Sequence, residues 1–261
     1  MTIAEKALAL AEPYMKENKL KVKDIVVGLH YVAVRLNDGR IHCAFMMHEN
    51  LPPVGTPMPD MDIVGADAFD VASLAVTGTN DLQRSIGFAA LNAASPYYDD
   101  PAYLMPESRL NVAPPEWRVG MIGFMPPKIA MYKNDVKEFV CFDRAIEASG
   151  GVRNIEIHPM EKEKELLPSC DMLISTGTTF LNGTIDDILL WSTGAKQIEL
   201  NGWSVLFWPP AYEGTRVSII NTARYTGTWE ELSGELARGG NIYCLAKHSR
   251  HVFYKFPEEE K

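Results

Sequence analysis

The sequence predicts an α+β unit followed by an α/β unit with a mainly parallel, Rossmann-like sheet, and three observations carry that reading. Near the N-terminus two β-rich segments, 22–36 and 40–49, flank Asp38-Gly39, a pair that tolerates positive φ in a tight hairpin. From Trp117 onward short apolar strand patterns alternate with helical ones, the order that builds a parallel sheet through crossover helices. Between them the proline-rich segment 111–116 reads as a linker, so residues 1–110 and 111–261 are expected to be separate domains.

Residues 1–20 carry scattered Glu5, Lys6, Glu12, Lys16 and Glu17, which makes them an amphipathic helix and not a signal peptide. The ribbon follows. With Asn37 opposite Arg40, His30, Val32, Val34 and Leu36 share a core face with Ile41, Cys43, Phe45 and Met47. Residues 51–62 hold four prolines and a glycine and must be a loop. Helical spacing returns over 66–76 and 81–94, the second with an apolar stripe of Leu82, Ile86, Ala89, Ala90 and Ala93 that stops before Ser95-Pro96.

In the second half, a strand over 118–124 ends in Gly123, Phe124 and two prolines, and a helix-length segment then runs to Ser149-Gly150-Gly151. Further strands are expected over 154–157, 171–175, 196–200 and 216–221, with a helix over 228–237.

With 261 residues, 46% of them hydrophobic, the chain can bury real cores. No apolar run approaches the roughly 18 residues that span a bilayer, so the expectation is a cytoplasmic protein with no membrane partner. A net charge of -9 opposes a nucleic-acid partner, whose binding needs a basic face. A homo-oligomer is left open. The four cysteines, Cys43, Cys141, Cys170 and Cys244, form no CxxC, so neither a zinc ribbon nor a redox dithiol can be read from their spacing.

The most informative stretch is Thr176-Gly177-Thr178-Thr179-Phe180-Leu181-Asn182-Gly183-Thr184, set between a strand and a helical pattern. Amides and hydroxyls at such a junction suit a small polar or anionic ligand, whereas an ordinary turn with Thr184 as cap is the plainer reading. Absent are GxGxxG, a Walker A lysine and GxSxG, which removes the usual support for nicotinamide, ATPase and serine-hydrolase chemistry. Glu156 and His158, two apart near a strand end, are candidate acid-base groups, and His158 is also a weak candidate metal ligand. Asn92, in a small apolar helix setting, needs partners for its carboxamide, from backbone or from ligand.

The segments Ile86-Gly87-Phe88-Ala89-Ala90-Leu91-Asn92-Ala93, Val119-Gly120-Met121-Ile122-Gly123-Phe124 and 175–184 together resemble the heavy-metal chelation family of domain-of-unknown-function proteins. That resemblance implies an enolase N-terminal-like α+β domain, a Rossmann-like domain and a shared interdomain cleft. The matching positions are Asn92, Gly123, Thr178, Thr179, Asn182 and Thr184, with Gly177 in the same loop. Their chemistry is hard oxygen and amide, which suits a carboxylate, a phosphate or an already chelated metal better than a naked soft ion. The expected function is therefore binding of a small polar, anionic or metal-chelating ligand in that cleft, with a role in heavy-metal chelation or handling. The cofactor class it points to is a metal ion or metal chelate. A transferase or lyase acting on a nucleotide-like or cofactor-like substrate, and a metallochaperone or metal sensor without turnover, are the alternatives.

Overall fold

The computed structural model describes residues 1–51, 62–105, 113–144 and 157–257. Helix α1 (Ile3–Glu17) starts at a capping box, in which Thr2 Oγ1 accepts from Glu5 N and the Glu5 carboxylate accepts from Thr2 N, and it buries Ile3, Ala7, Ala11 and Met15 along one stripe. Strands β1 (Val22–Val27), β2 (Tyr31–Leu36) and β3 (Ile41–Phe45) form an antiparallel sheet in that order. Helices α2 (Ala68–Thr77) and α3 (Asp81–Ala93) start at Asp67 and Asn80, whose side chains accept the free amides of Phe69 and Gln83. All five residues of the predicted α3 stripe are buried.

The ribbon differs from the expectation in two respects. The long first strand is broken at Gly28, where a Cβ would lie 2.7 Å from the Leu236 carbonyl, so only glycine lets the chain turn back against the helix Trp229–Ala237. The β2–β3 register is also one residue off, pairing Val34 with His42 and Val32 with Ala44. The loop is Asn37-Asp38-Gly39, with Gly39 at φ 93° and its amide on Leu36 O, a three-residue turn in place of the two-residue one. His42 therefore shares the face of Val32 and Val34, and Cys43 lies on the other. Both faces are covered: Val32, Val34 and Ala44 belong to the main core, while Ala33 and Cys43 pack with Trp203, Ala223 and Trp229.

The second sheet has seven strands in the order β10-β9-β8-β7-β4-β5-β6: β4 (Arg118–Ile122), β5 (Glu138–Phe142), β6 (Ile157–His158), β7 (Met172–Thr176), β8 (Gln197–Asn201), β9 (Ile219–Tyr225) and β10 (Ser249–Lys255). All pairings are parallel except β9 with β10. The helix-length segment expected after β4 divides into a short helix, α4 (Pro126–Tyr132), and β5, whose apolar run Phe139-Val140-Cys141-Phe142, buried from Val140 on, shows no period. Residues 154–156 of the predicted second strand lie outside the described residues. The α+β unit followed by a mainly parallel α/β unit is the architecture the sequence predicts.

One apolar core runs from Ile3 through α3 to Val252 in β10, so the two sheets are not packed independently. The segment after β8 is the main tie. Trp203 O meets His42 Nε2 at 2.8 Å, Ser204 Oγ accepts from Phe45 N, and Trp208 Nε1 donates to Leu91 O. Among the described residues no helix is long and apolar enough to cross a membrane.

Candidate functional site

The sheet order creates a switch point. After β4 the chain adds β5 and β6 on one side, then returns to lay β7 on the other, so the connections leaving β4 and β7 diverge beyond their carboxyl ends, the place where ligands bind in open α/β sheets. Gly123 sits there at φ 84°, and a Cβ on it would lie 2.7 Å from Thr176 Cγ2. Glycine is needed both for the turn and for the approach of Thr176.

Register decides which side chains line this edge. The pairs Ile122↔Ser175, Thr176↔Asn201 and Asn201↔Asn221 set Gly123, Thr176, Asn201 and Asn221 in one lateral row on one face of the sheet. One step toward the amino ends, on the same face, is Glu199. Its carboxylate Oε1 receives Lys128 Nζ at 2.6 Å, Asn221 Nδ2 at 2.9 Å and Asn201 Nδ2 at 3.1 Å. Lys128 projects from α4, and both charged residues are buried, at 8% and 1% exposure. Tyr132, one turn further along α4, has its hydroxyl pushed up to about 12, first by burial and then by the negative charge of Glu199. Because a carboxylate only accepts, the two carboxamides must turn their NH2 groups to Glu199 and their oxygens away from it.

None of Lys128, Glu199, Asn201 and Asn221 stood out by motif. A signal was present nonetheless: Glu199 interrupts the buried run Gln197-Ile198-Glu199-Leu200, and Asn221 follows Ile219-Ile220 in a central strand. Charges and amides in such places are costly unless paired.

The predicted site residues fall into separate places. Asn92 is fully buried in α3, and both ends of its carboxamide are taken, Nδ2 by Val205 O and Oδ1 by Phe207 N, each at 3.0 Å. Gly177 packs against the segment after β8, where a Cβ would be 2.5 Å from Val205 N, and its amide bonds Asn201 O. Thr178 and Thr179 begin a single helical turn: Thr178 Oγ1 lies 3.3 Å from Thr176 Oγ1, and Thr179 Oγ1 donates to Thr176 O. Asn182 Oδ1 accepts from the amide and hydroxyl of Thr184, so Thr184 makes no side-chain cap to the helix Ile185–Trp191. Arg84 closes the preceding turn by donating to Phe180 O and Leu181 O. His158 pairs in register with Phe142, which puts it on the opposite face from the Gly123 row, against the Phe142 ring. Glu156 lies outside the described residues. Of the predicted residues, Gly123 and Thr178 thus lie beside Thr176 at the switch point.

Comparison with known proteins decides the family. The DUF364 profile, described as "putative heavy-metal chelation", matches residues 109–255, more than half of the chain. The chain belongs to this family. A second profile of the same description, DUF4213, matches residues 8–95. A DUF364 family protein of unknown function from Pyrococcus horikoshii superposes with a TM-score of 0.75 at 25% identity, covering 97% of this chain and 98% of that one. Another, from Desulfitobacterium hafniense, gives a TM-score of 0.74 at 17% identity over 97% and 99% of the two chains. An uncharacterized protein of Methanocaldococcus jannaschii is 29% identical over 61% of this chain, and the match spans 57% of that relative's length.

The DUF364 description names heavy-metal chelation, and the donor set of this member can be tested against it. Among the described residues no group of three or more His, Cys, Asp or Glu converges to hold an ion. Burial raises the Cys43 thiol well above its usual range and pushes Cys141 up to about 12 and Cys170 up to about 11. A soft metal binds the thiolate, so burial works against direct thiolate capture. In the native protein Ellman's reagent is expected to modify the half-buried Cys244 promptly and the other three only after denaturation; rapid reaction of two or more thiols would contradict this.

Proposed function

We propose that this protein binds a small anionic or metal-chelating ligand in the crevice at the carboxyl edge of the parallel sheet, and handles heavy metal as a chelate and not as a naked ion. The observation that carries the reading is the lateral polar row Gly123, Thr176, Asn201 and Asn221, backed by the buried Lys128–Glu199 pair at the switch point between β4 and β7. The Lys128 ammonium is the group there that can pair with an anionic oxygen, and the Asn201 and Asn221 oxygens, turned away from Glu199, can accept from hydroxyl groups of an oxygen-rich ligand.

A thermal-shift series on the wild-type protein tests this. Citrate or pyrophosphate at a hundredfold excess over Kd is expected to stabilise by about 2.7 kcal/mol, roughly 5–10 °C in Tm, while zinc alone gives no comparable rise. Stabilisation by zinc but by neither anion would reject the reading in favour of direct metal capture.

A further inference from the structure

Lys128 and Glu199 depend on each other unequally. Glu199 Oε1 keeps two carboxamide donors, from Asn201 and Asn221, if the ammonium leaves. Lys128 has three N–H groups to satisfy, and Glu199 is its one acceptor among the described residues. A buried pair of this kind is poorly explained by stability, since an apolar pair of similar volume holds a core as well or better. The carboxylate therefore keeps hydrogen-bond donors without the lysine, whereas the lysine needs another anion if it moves. Its four-carbon stem allows such movement, and the row of Thr176 and Asn201, both only half-buried, adjoins Glu199 on the open side of the same face.

We propose that Lys128 is the anion receptor of the crevice, held in reserve by Glu199 until a carboxylate or phosphate group of the ligand replaces that partner. In the exchange the ammonium passes to the ligand oxygen, and Glu199, left without a cation, stays hydrogen-bonded to the neutral donors of Asn201 and Asn221. The Asn201 and Asn221 oxygens, turned away from Glu199, are then available to N–H or O–H groups of the same ligand. This rests on the ligand reading above and adds the residue that recognises the anion.

Isothermal titration with citrate and with pyrophosphate tests it on three proteins: wild type, Glu199→Gln, and the double variant Lys128→Met with Glu199→Gln. The double variant removes both charges together and so strands neither, which keeps it the better candidate to fold. Glu199→Gln removes the competing acceptor and is expected to tighten anion binding about threefold or more. The double variant, which differs from it by the ammonium, is expected to bind about tenfold more weakly than wild type. Binding of citrate alone marks a carboxylate ligand, and of pyrophosphate alone a phosphate. A folded double variant that binds within about threefold of wild type, or a folded Glu199→Gln that binds more weakly, overturns the role of Lys128 while leaving the crevice reading intact. Wild type that binds neither anion overturns both. If Glu199→Gln does not fold, the double variant alone decides.

Discussion

Asn92→Ala is expected to destabilise the protein by about 2–6 kcal/mol, because two backbone groups lose their partner in a buried site. Nδ2 satisfies Val205 O and Oδ1 satisfies Phe207 N, at 3.0 Å each, and Asn92 is fully buried. Each orphaned group costs roughly 1–3 kcal/mol, more than the net worth of the bonds themselves. The effect falls on the junction of the two halves, since α3 belongs to one and residues 205–207 follow β8 in the other. Urea denaturation measures it: the midpoint should drop with the slope unchanged. A loss under about 1 kcal/mol would mean that water or a shifted side chain takes over both bonds.

Gly87→Ala is expected to cost about 3 kcal/mol, against the roughly 1 kcal/mol gain that alanine normally brings inside a helix. In α3 a Cβ at this position would stand 2.0 Å from Ala75 N and 2.5 Å from Leu74 C, both backbone atoms of α2, and no side-chain rotation relieves that. The small residues Ala72, Ala75, Ala89 and Ala90 are fully buried around the same helix pair, so α2 and α3 are built to approach closely. Separating them would also shift Ser85, whose hydroxyl donates to Phe45 O in β3. A Gly87→Ala protein melting at or above the wild-type temperature would show that the helices part without penalty.

Much of the fold could be read because element type is a local property. The Asp38-Gly39 turn, the stripe of Leu82, Ile86, Ala89, Ala90 and Ala93, and the strand-helix alternation after Trp117 each declare themselves within a few residues, through turn chemistry or period. Where the reading failed, two local solutions were nearly equal. A two-residue and a three-residue turn both satisfy Asn37-Asp38-Gly39, yet they move every side chain of β3 to the other face. The strand β5 is buried on both faces and shows no alternation, so length alone argued, wrongly, for helix.

The site was legible only in part, for a different physical reason. Gly123 and Thr178 could be picked out because a glycine and a hydroxyl at a strand end have local causes. Asn92 was recognised as needing partners, and the packed segment after β8 supplied backbone ones.

By itself the sequence determined the kinds of element, their order along the chain and the parallel character of the second sheet. Tertiary structure alone decided that Thr176, Asn201 and Asn221 stand in one row, that His158 faces the other side of the sheet, and that Lys128 reaches Glu199. Lateral neighbours in a sheet are set by strand order and ladder register, which depend on how crossovers pack across the whole domain and leave no periodic trace in the chain.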